Sequence, residues 1–176
     1  VIAIILFVIV IITLGWGAAV MVADYAAGRL SGAHLNPAVT FALASIGAFP
    51  WSDVPGYFLA QMIGALVGAG LVWLMYLPHW AVTQNADLKL AVFCTGPAIR
   101  KLSANLLTET IATAAFVFAV LGIGANAQTL AKPGDIDLSV VFSNGLQPLL
   151  VGALVLGVGL SLGGSTGYAI NPARDL

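Results

Sequence analysis

Apolar residues along this chain run in long blocks, and polar residues gather between them. A helix that crosses a bilayer takes about 20 apolar residues in a row. Four blocks reach that length: Val1–Val22, Gly56–Leu77, Leu102–Gly124 and Phe142–Leu162. Asp24 and Arg29 are expected to mark the exit of the first. Pro50-Trp51-Ser52-Asp53 leads into the second, and Pro78 closes it. The third holds one carboxylate, Glu109, and the polar stretch Asn126–Ser139 leads on to the fourth. Gly64 and Gly68 stand at GxxxG spacing in the second block, which predicts a close seat against a neighbouring helix. Thr108, Thr110 and Thr113 are expected to make helix–helix hydrogen bonds.

Two further pieces, Ser31–Gly47 and Gly163–Leu176, are too short and too polar at their starts to cross. Irregular backbone survives at membrane depth only where protein buries it or where it lines a watery cavity. These pieces are therefore candidates for a pore. They also repeat: Ser31-Gly32-Ala33-His34-Leu35-Asn36-Pro37-Ala38 aligns with Thr166-Gly167-Tyr168-Ala169-Ile170-Asn171-Pro172-Ala173. Three spans separate the copies, an odd number, so the copies point in opposite directions. Inverted repeats with matching interrupted segments mark transport sites near the bilayer midplane.

Composition supports a lipid environment. The chain has 176 residues, is 60% hydrophobic and only 7% charged, and its mean hydropathy is +1.04. Soluble domains carry roughly 25% charged residues. A net charge of -1 offers no basic face for nucleic acid. One cysteine, Cys94, gives no intrachain disulfide and no metal site of its own. There is no phosphate-binding glycine loop followed by Lys-Ser/Thr, and no serine with an evident base. His34 and His79 stand far apart, without a ligand cluster. Neither catalysis nor a cofactor is expected.

The two Asn-Pro-Ala triplets, Asn36-Pro37-Ala38 and Asn171-Pro172-Ala173, carry the physical reading. Asn is a strong N-cap and Pro suits the first helical position, so each triplet starts a short helix. A half-helix that begins at mid-membrane brings about half a positive charge there. Two of them, head to head, oppose cations and protons. The Asn amides can still donate to a passing hydroxyl. Backbone carbonyls of Gly32, Ala33, His34, Gly167 and Ala169 are expected to line the path as acceptors, an arrangement suited to water and polyols.

Ser-Gly-Ala-His-Leu-Asn-Pro-Ala-Val-Thr at 31–40 and Gly-Tyr-Ala-Ile-Asn-Pro-Ala-Arg-Asp at 167–175 resemble the two signature loops of the major intrinsic protein, or aquaporin, family. The second loop resembles its glycerol-facilitator branch. The resemblance implies an all-α membrane protein: a right-handed helical bundle with an inverted repeat and two re-entrant half-helices. The whole chain, 1–176, would be one channel domain. Residues 1–77 would belong to the first repeat and 102–176 to the second, with a loop at 78–101. Both ends look cut, so the first and last transmembrane helices of the family are expected to lie outside this sequence. Arg29 and Lys132 fall on one side, and Lys89, Arg100 and Lys101 on the other. That count favours the orientation opposite to the one the resemblance implies.

The resemblance also implies a narrow filter. By position against the family pattern it would comprise Trp16, Gly159, Tyr168 and Arg174. Arg174 has five fixed donors for hydroxyls and a charge that repels cations. Trp16 and Tyr168 would meet the carbon backbone of a polyol, and Gly159 would leave room. Asp175 fits the facilitator branch. Tyr168 departs from it, because Phe is common there; its hydroxyl could narrow the ring or add a hydrogen bond. Glu109 is implied to hold the second loop by accepting its backbone N–H groups, and its first-repeat counterpart would precede Val1. His34 is expected either to bond within the first loop or simply to pack. The expected activity is passive passage of glycerol, water and small uncharged solutes such as urea. The setting would be a bacterial plasma membrane, and the assembly a homotetramer. A water-selective channel and a non-conducting membrane fragment stay open as alternatives.

Overall fold

The computed structural model describes residues 2–130 and 137–175; Val1, Lys132 and Leu176 lie outside the described residues, as do the side chains of residues 2–8. The described secondary structure is helical. Four long helices or helix assemblies have the length and composition to cross a membrane: Ile9–Ser31, Val54–Met75, Leu102–Thr129 and Leu138–Leu162.

Helix α1, Ile2–Ser31, runs well past the expected exit. Asp24 and Arg29 therefore lie inside the helix and do not end it. Neither residue breaks helical geometry, and a single carboxylate does not halt a helix with so many apolar neighbours. After a short irregular loop comes α2, Pro37–Ser45, the first half-helix. Asn36 caps it in extended conformation: φ is -158° and ψ 122°, and its side chain accepts from the Ala38 N–H. Gly47, at φ +75°, ends it. The Ala48 N–H then reaches back to the Leu43 carbonyl at 2.9 Å, and the Gly47 N–H to Ala44 at 3.1 Å. A left-handed glycine permits this wrap of the last turn.

Helix α3, Val54–Met75, starts with Pro55 in its first turn. Two short helices that the hydropathy pattern does not show follow in the 78–101 region: α4, Leu77–Val82, and α5, Ala86–Leu90. Helix α6 spans Leu102–Thr129. The fourth crossing is composite: α7, Leu138–Val141, a π-helical turn over Phe142–Leu146, and α8, Gln147–Leu162. The π turn has a cause. Pro148 has no N–H to continue the regular ladder, and its ring crowds the preceding turn. A short helix α9, Pro172–Asp175, follows the second loop.

Helices α1 and α8 pack most closely. A Cβ added to Gly17 would stand 2.7 Å from the Gly152 carbonyl oxygen, and one added to Gly152 would meet the Gly17 carbonyl oxygen at the same distance. The two backbones touch, as small residues allow between membrane helices. By contrast, nothing among the described residues lies within 4 Å of a Cβ built on Gly64 or Gly68. The expected seat at those glycines is therefore not found. Thr110 likewise bonds its own helix, donating to the Leu106 carbonyl at 2.7 Å. The small core joins both half-helix regions to the spans: Val39, Ala112, Phe116, Val155, Val158 and Ile170.

Candidate functional site: two facing loops

Both irregular loops carry the same backbone pattern. Gly32, Ala33 and Leu35 have φ of 70°, 44° and 52°; Gly167, Tyr168 and Ile170, at the matching repeat positions, have 86°, 45° and 41°. Left-handed backbone costs roughly 1–2 kcal/mol for a residue with a side chain. Two unrelated loops would not share two such positions in one register, four residues in all. The repeat read from Asn-Pro-Ala is thus a repeat of conformation. It also withdraws backbone groups from helical pairing and makes them available to side chains and to a lumen.

The two loops are cross-tied. Asn36 Nδ2 donates to the Ile170 carbonyl at 2.7 Å, and Asn171 Nδ2 donates to the Leu35 carbonyl at 2.8 Å. Each Asn Oδ1 meanwhile caps its own half-helix, accepting from Ala38 N–H at 2.9 Å and from Ala173 N–H at 3.1 Å. A carboxamide nitrogen has two protons. One is committed to the opposite loop, which leaves one on each Asn for another acceptor. The pair can therefore present two donors at the meeting point of the half-helices.

Glu109 sits on α6 opposite the second loop. Its Oε1 accepts from Ala169 N–H at 3.2 Å and its Oε2 from Ile170 N–H at 2.9 Å. Both carboxylate oxygens face the strained turn and hold it. In the first loop, His34 Nδ1 lies 3.1 Å from Thr40 Oγ1, which also receives Gln61 Nε2 at 3.0 Å. The His34 ring is flanked by Phe49 and Tyr57, with centroids 4.7 and 4.9 Å away. His34 is thus held within the loop by bonding and by packing together.

Trp16, Tyr168 and Arg174 converge. The Arg174 guanidinium carbon lies 4.3 Å from the Trp16 ring centroid and 5.6 Å from that of Tyr168. Arg174 Nη1 donates to the Tyr168 carbonyl at 3.2 Å, which fixes the direction of the fork. Cation–π contact of this kind suits a partly desolvated guanidinium. Gly159 is buried behind this group. A Cβ there would collide with the Thr13 methyl and stand 2.9 Å from Tyr168 Cζ. The room it leaves is filled by the Tyr168 ring. The Tyr168 hydroxyl is buried and has no hydrogen-bond partner among the described residues. It points into protein and does not narrow the opening. Asp175 accepts from Thr95 Oγ1 at 3.0 Å, tying the second loop to the segment after α5.

A cavity of about 310 Å³ runs past these groups, lined by Trp16, Asn36, Tyr168, Asn171 and Arg174. Gly32, Ala33, His34 and Ala169 are among its lining residues. Gly167 and Gly159 are not among its lining residues: Gly167 packs on Thr95, whose Cβ lies 3.0 Å from where its own Cβ would stand. Asp24, expected only as the end of a helix, also lines the cavity, as do Gln128 and Gln147, to which the sequence pattern gives no role. Asp24 and Gln128 flank apolar blocks, and Gln147 interrupts one.

Comparison with known proteins agrees with this geometry. The family model described as Major intrinsic protein matches residues 3–176. The chain belongs to the major intrinsic protein family. Among curated members of the family, the "Probable glycerol uptake facilitator protein" of Thermotoga maritima is 60% identical over 166 residues, covering 94% of this chain and 65% of that protein. The "Glycerol uptake facilitator protein" of Bacillus subtilis is 52% identical over 167 residues, covering 95% of this chain and 56% of its own length. The chain thus spans less than two thirds of these relatives. Among solved structures, the aquaglyceroporin from Plasmodium falciparum matches with a TM-score of 0.75 and 32% identity, over 93% of this chain and 63% of that one.

Proposed function

We propose that the protein carrying this chain is a passive channel for glycerol and other small uncharged solutes, with water, in a bacterial plasma membrane. The observation that carries the reading is the convergence of Trp16, Tyr168 and Arg174 on the cavity that contains the cross-tied Asn36 and Asn171. Aromatic faces meet the carbon side of a polyol. Arg174 donates to its hydroxyls and repels cations. Beyond them, the two spare Asn protons receive the solute at the half-helix starts, where the helix dipoles oppose protons. Gly32, Ala33, His34 and Ala169 supply acceptors along the way. Glu109, Asp175 and Gly159 act as supports: the first two hold the second loop, and the last seats the Tyr168 ring.

The named relatives favour glycerol over water alone. The homotetramer with one pore per subunit, which the resemblance to the family implies, belongs to the proposal as well. Uptake of labelled glycerol by bacterial cells lacking their own facilitator tests it. Expression of the full-length protein should raise the initial rate of uptake well above that of empty-vector cells, and ATP depletion should leave that initial rate unchanged. Uptake equal to empty-vector cells, with the protein present in the membrane, would contradict it.

A further inference from the structure

Asp24 is unexplained by the site described above. It stands in an apolar span, half-buried, and it lines the same cavity as Arg174. Among the described residues lining that cavity it is the sole carboxylate, and no hydrogen-bond donor is found for it there. It therefore has no evident bonding role in the fold. Gly28, one turn on, leaves its carboxylate clear: a Cβ at that position would stand 3.3 Å from Asp24 Oδ1.

Its place follows from α1. Trp16, under Arg174, marks one level of the cavity. Asp24 lies about 12 Å further along the same helix at 1.5 Å per residue. Tyr25 Oη donates to the Gly145 carbonyl at 2.6 Å, which ties this stretch of α1 to the start of the fourth crossing. Gln147, at the first position of α8, and Gln128, at the end of α6, line the cavity too. One carboxylate and two carboxamides thus gather at the mouth away from Arg174.

Resting on the channel reading above, we infer that Asp24, with Gln128 and Gln147, is a second hydrogen-bonding station, for the hydroxyl groups of neutral polyols, at the cavity mouth opposite Arg174. A carboxylate only accepts, and its two oxygens can take two neighbouring hydroxyls; the carboxamides both donate and accept. Arg174 only donates. A polyol hydroxyl does both, so it fits either end. An ion does not: a cation drawn by Asp24 meets Arg174, and an anion drawn by Arg174 meets Asp24. The two charges together favour neutral solutes of both-way hydrogen bonding.

The test compares wild type, D24N, D24L and Q147L of the full-length protein in liposomes, by stopped-flow light scattering. Glycerol and water permeability are measured on the same vesicles, across a range of glycerol concentrations. D24L should lower the glycerol-to-water permeability ratio about fivefold, the scale of one lost hydrogen bond. It should also raise the glycerol concentration at half-saturation. D24N, nearly isosteric and still able to bond, should fall between, and Q147L should shift the ratio in the same direction. If D24L does not insert, D24N and Q147L still decide the matter. A ratio and a half-saturation unchanged from wild type in the variants that insert overturn the station while leaving the channel. A wild type that passes water and no glycerol overturns the channel reading and the station with it.

Discussion

Ala33, Leu35, Tyr168 and Ile170 hold left-handed backbone, which residues with a β-carbon disfavour. The surroundings over-determine them. The carbonyls of Leu35, Tyr168 and Ile170 each receive a side-chain donor, and the N–H groups of Ala169 and Ile170 reach Glu109. At Tyr168 the side chain shows a division of labour. The residue lines the cavity while its hydroxyl is buried against α8, without a partner among the described residues. Y168F should therefore leave the glycerol-to-water permeability ratio within about twofold of wild type. It should also keep or slightly raise the melting temperature, since a buried unpaired hydroxyl carries a desolvation penalty of about 1–3 kcal/mol. A ratio shifted many-fold by that change would place the hydroxyl in the lumen. The caps at Asn36 and Asn171 were legible from three letters each, because capping is local chemistry. The fate of the Tyr168 hydroxyl was not, because it depends on Gly159 and Gly163 from another helix.

Among elements, the contact between α1 and α8 decides the packing. Backbone meets backbone at Gly17 and Gly152, with no space for a methyl group. G152V should destabilise the protein by about 1–3 kcal/mol or more through overpacking, whereas G64V should cost little among these contacts. Thermal unfolding of the two variants in detergent, beside wild type, checks the ordering. Gly-rich composition made close packing legible, but not which glycines pack. Spacing reports small residues and is silent on the helix face that a neighbour covers. Asp24 gives a similar lesson. A charge at the edge of an apolar block reads as a helix exit, yet α1 continues to Ser31 because nothing in Tyr25–Leu30 stops it. Glu109 was readable as a support only through the family resemblance, since the apolar run alone says merely that a carboxylate there needs partners. E109L should leave two loop N–H groups unpaired, at about 1–3 kcal/mol each. E109Q retains one acceptor oxygen and should lose about half as much. Equal melting temperatures for E109L and wild type would contradict the supporting role.

At the scale of the molecule, one operation is performed twice. A polar loop descends, turns through the same left-handed residues, and starts a half-helix at an Asn-Pro-Ala. Each loop then binds the other through its Asn. The inverted repeat was legible because an odd number of apolar blocks separates two matching segments. The cavity between the loops was not, because its walls come from α1, α6, α8 and both loops at once. That Asp24, Gln128 and Gln147 share its lining was not legible for the same reason. On the proposed function, this repeat forms a polyol path with an Arg174-centred filter. Stopped-flow swelling of liposomes holding the full-length protein tests it most directly. Glycerol and water should both enter far faster than through protein-free liposomes, with no accompanying proton flux. Rapid water entry with glycerol entry no faster than through bare lipid would contradict it.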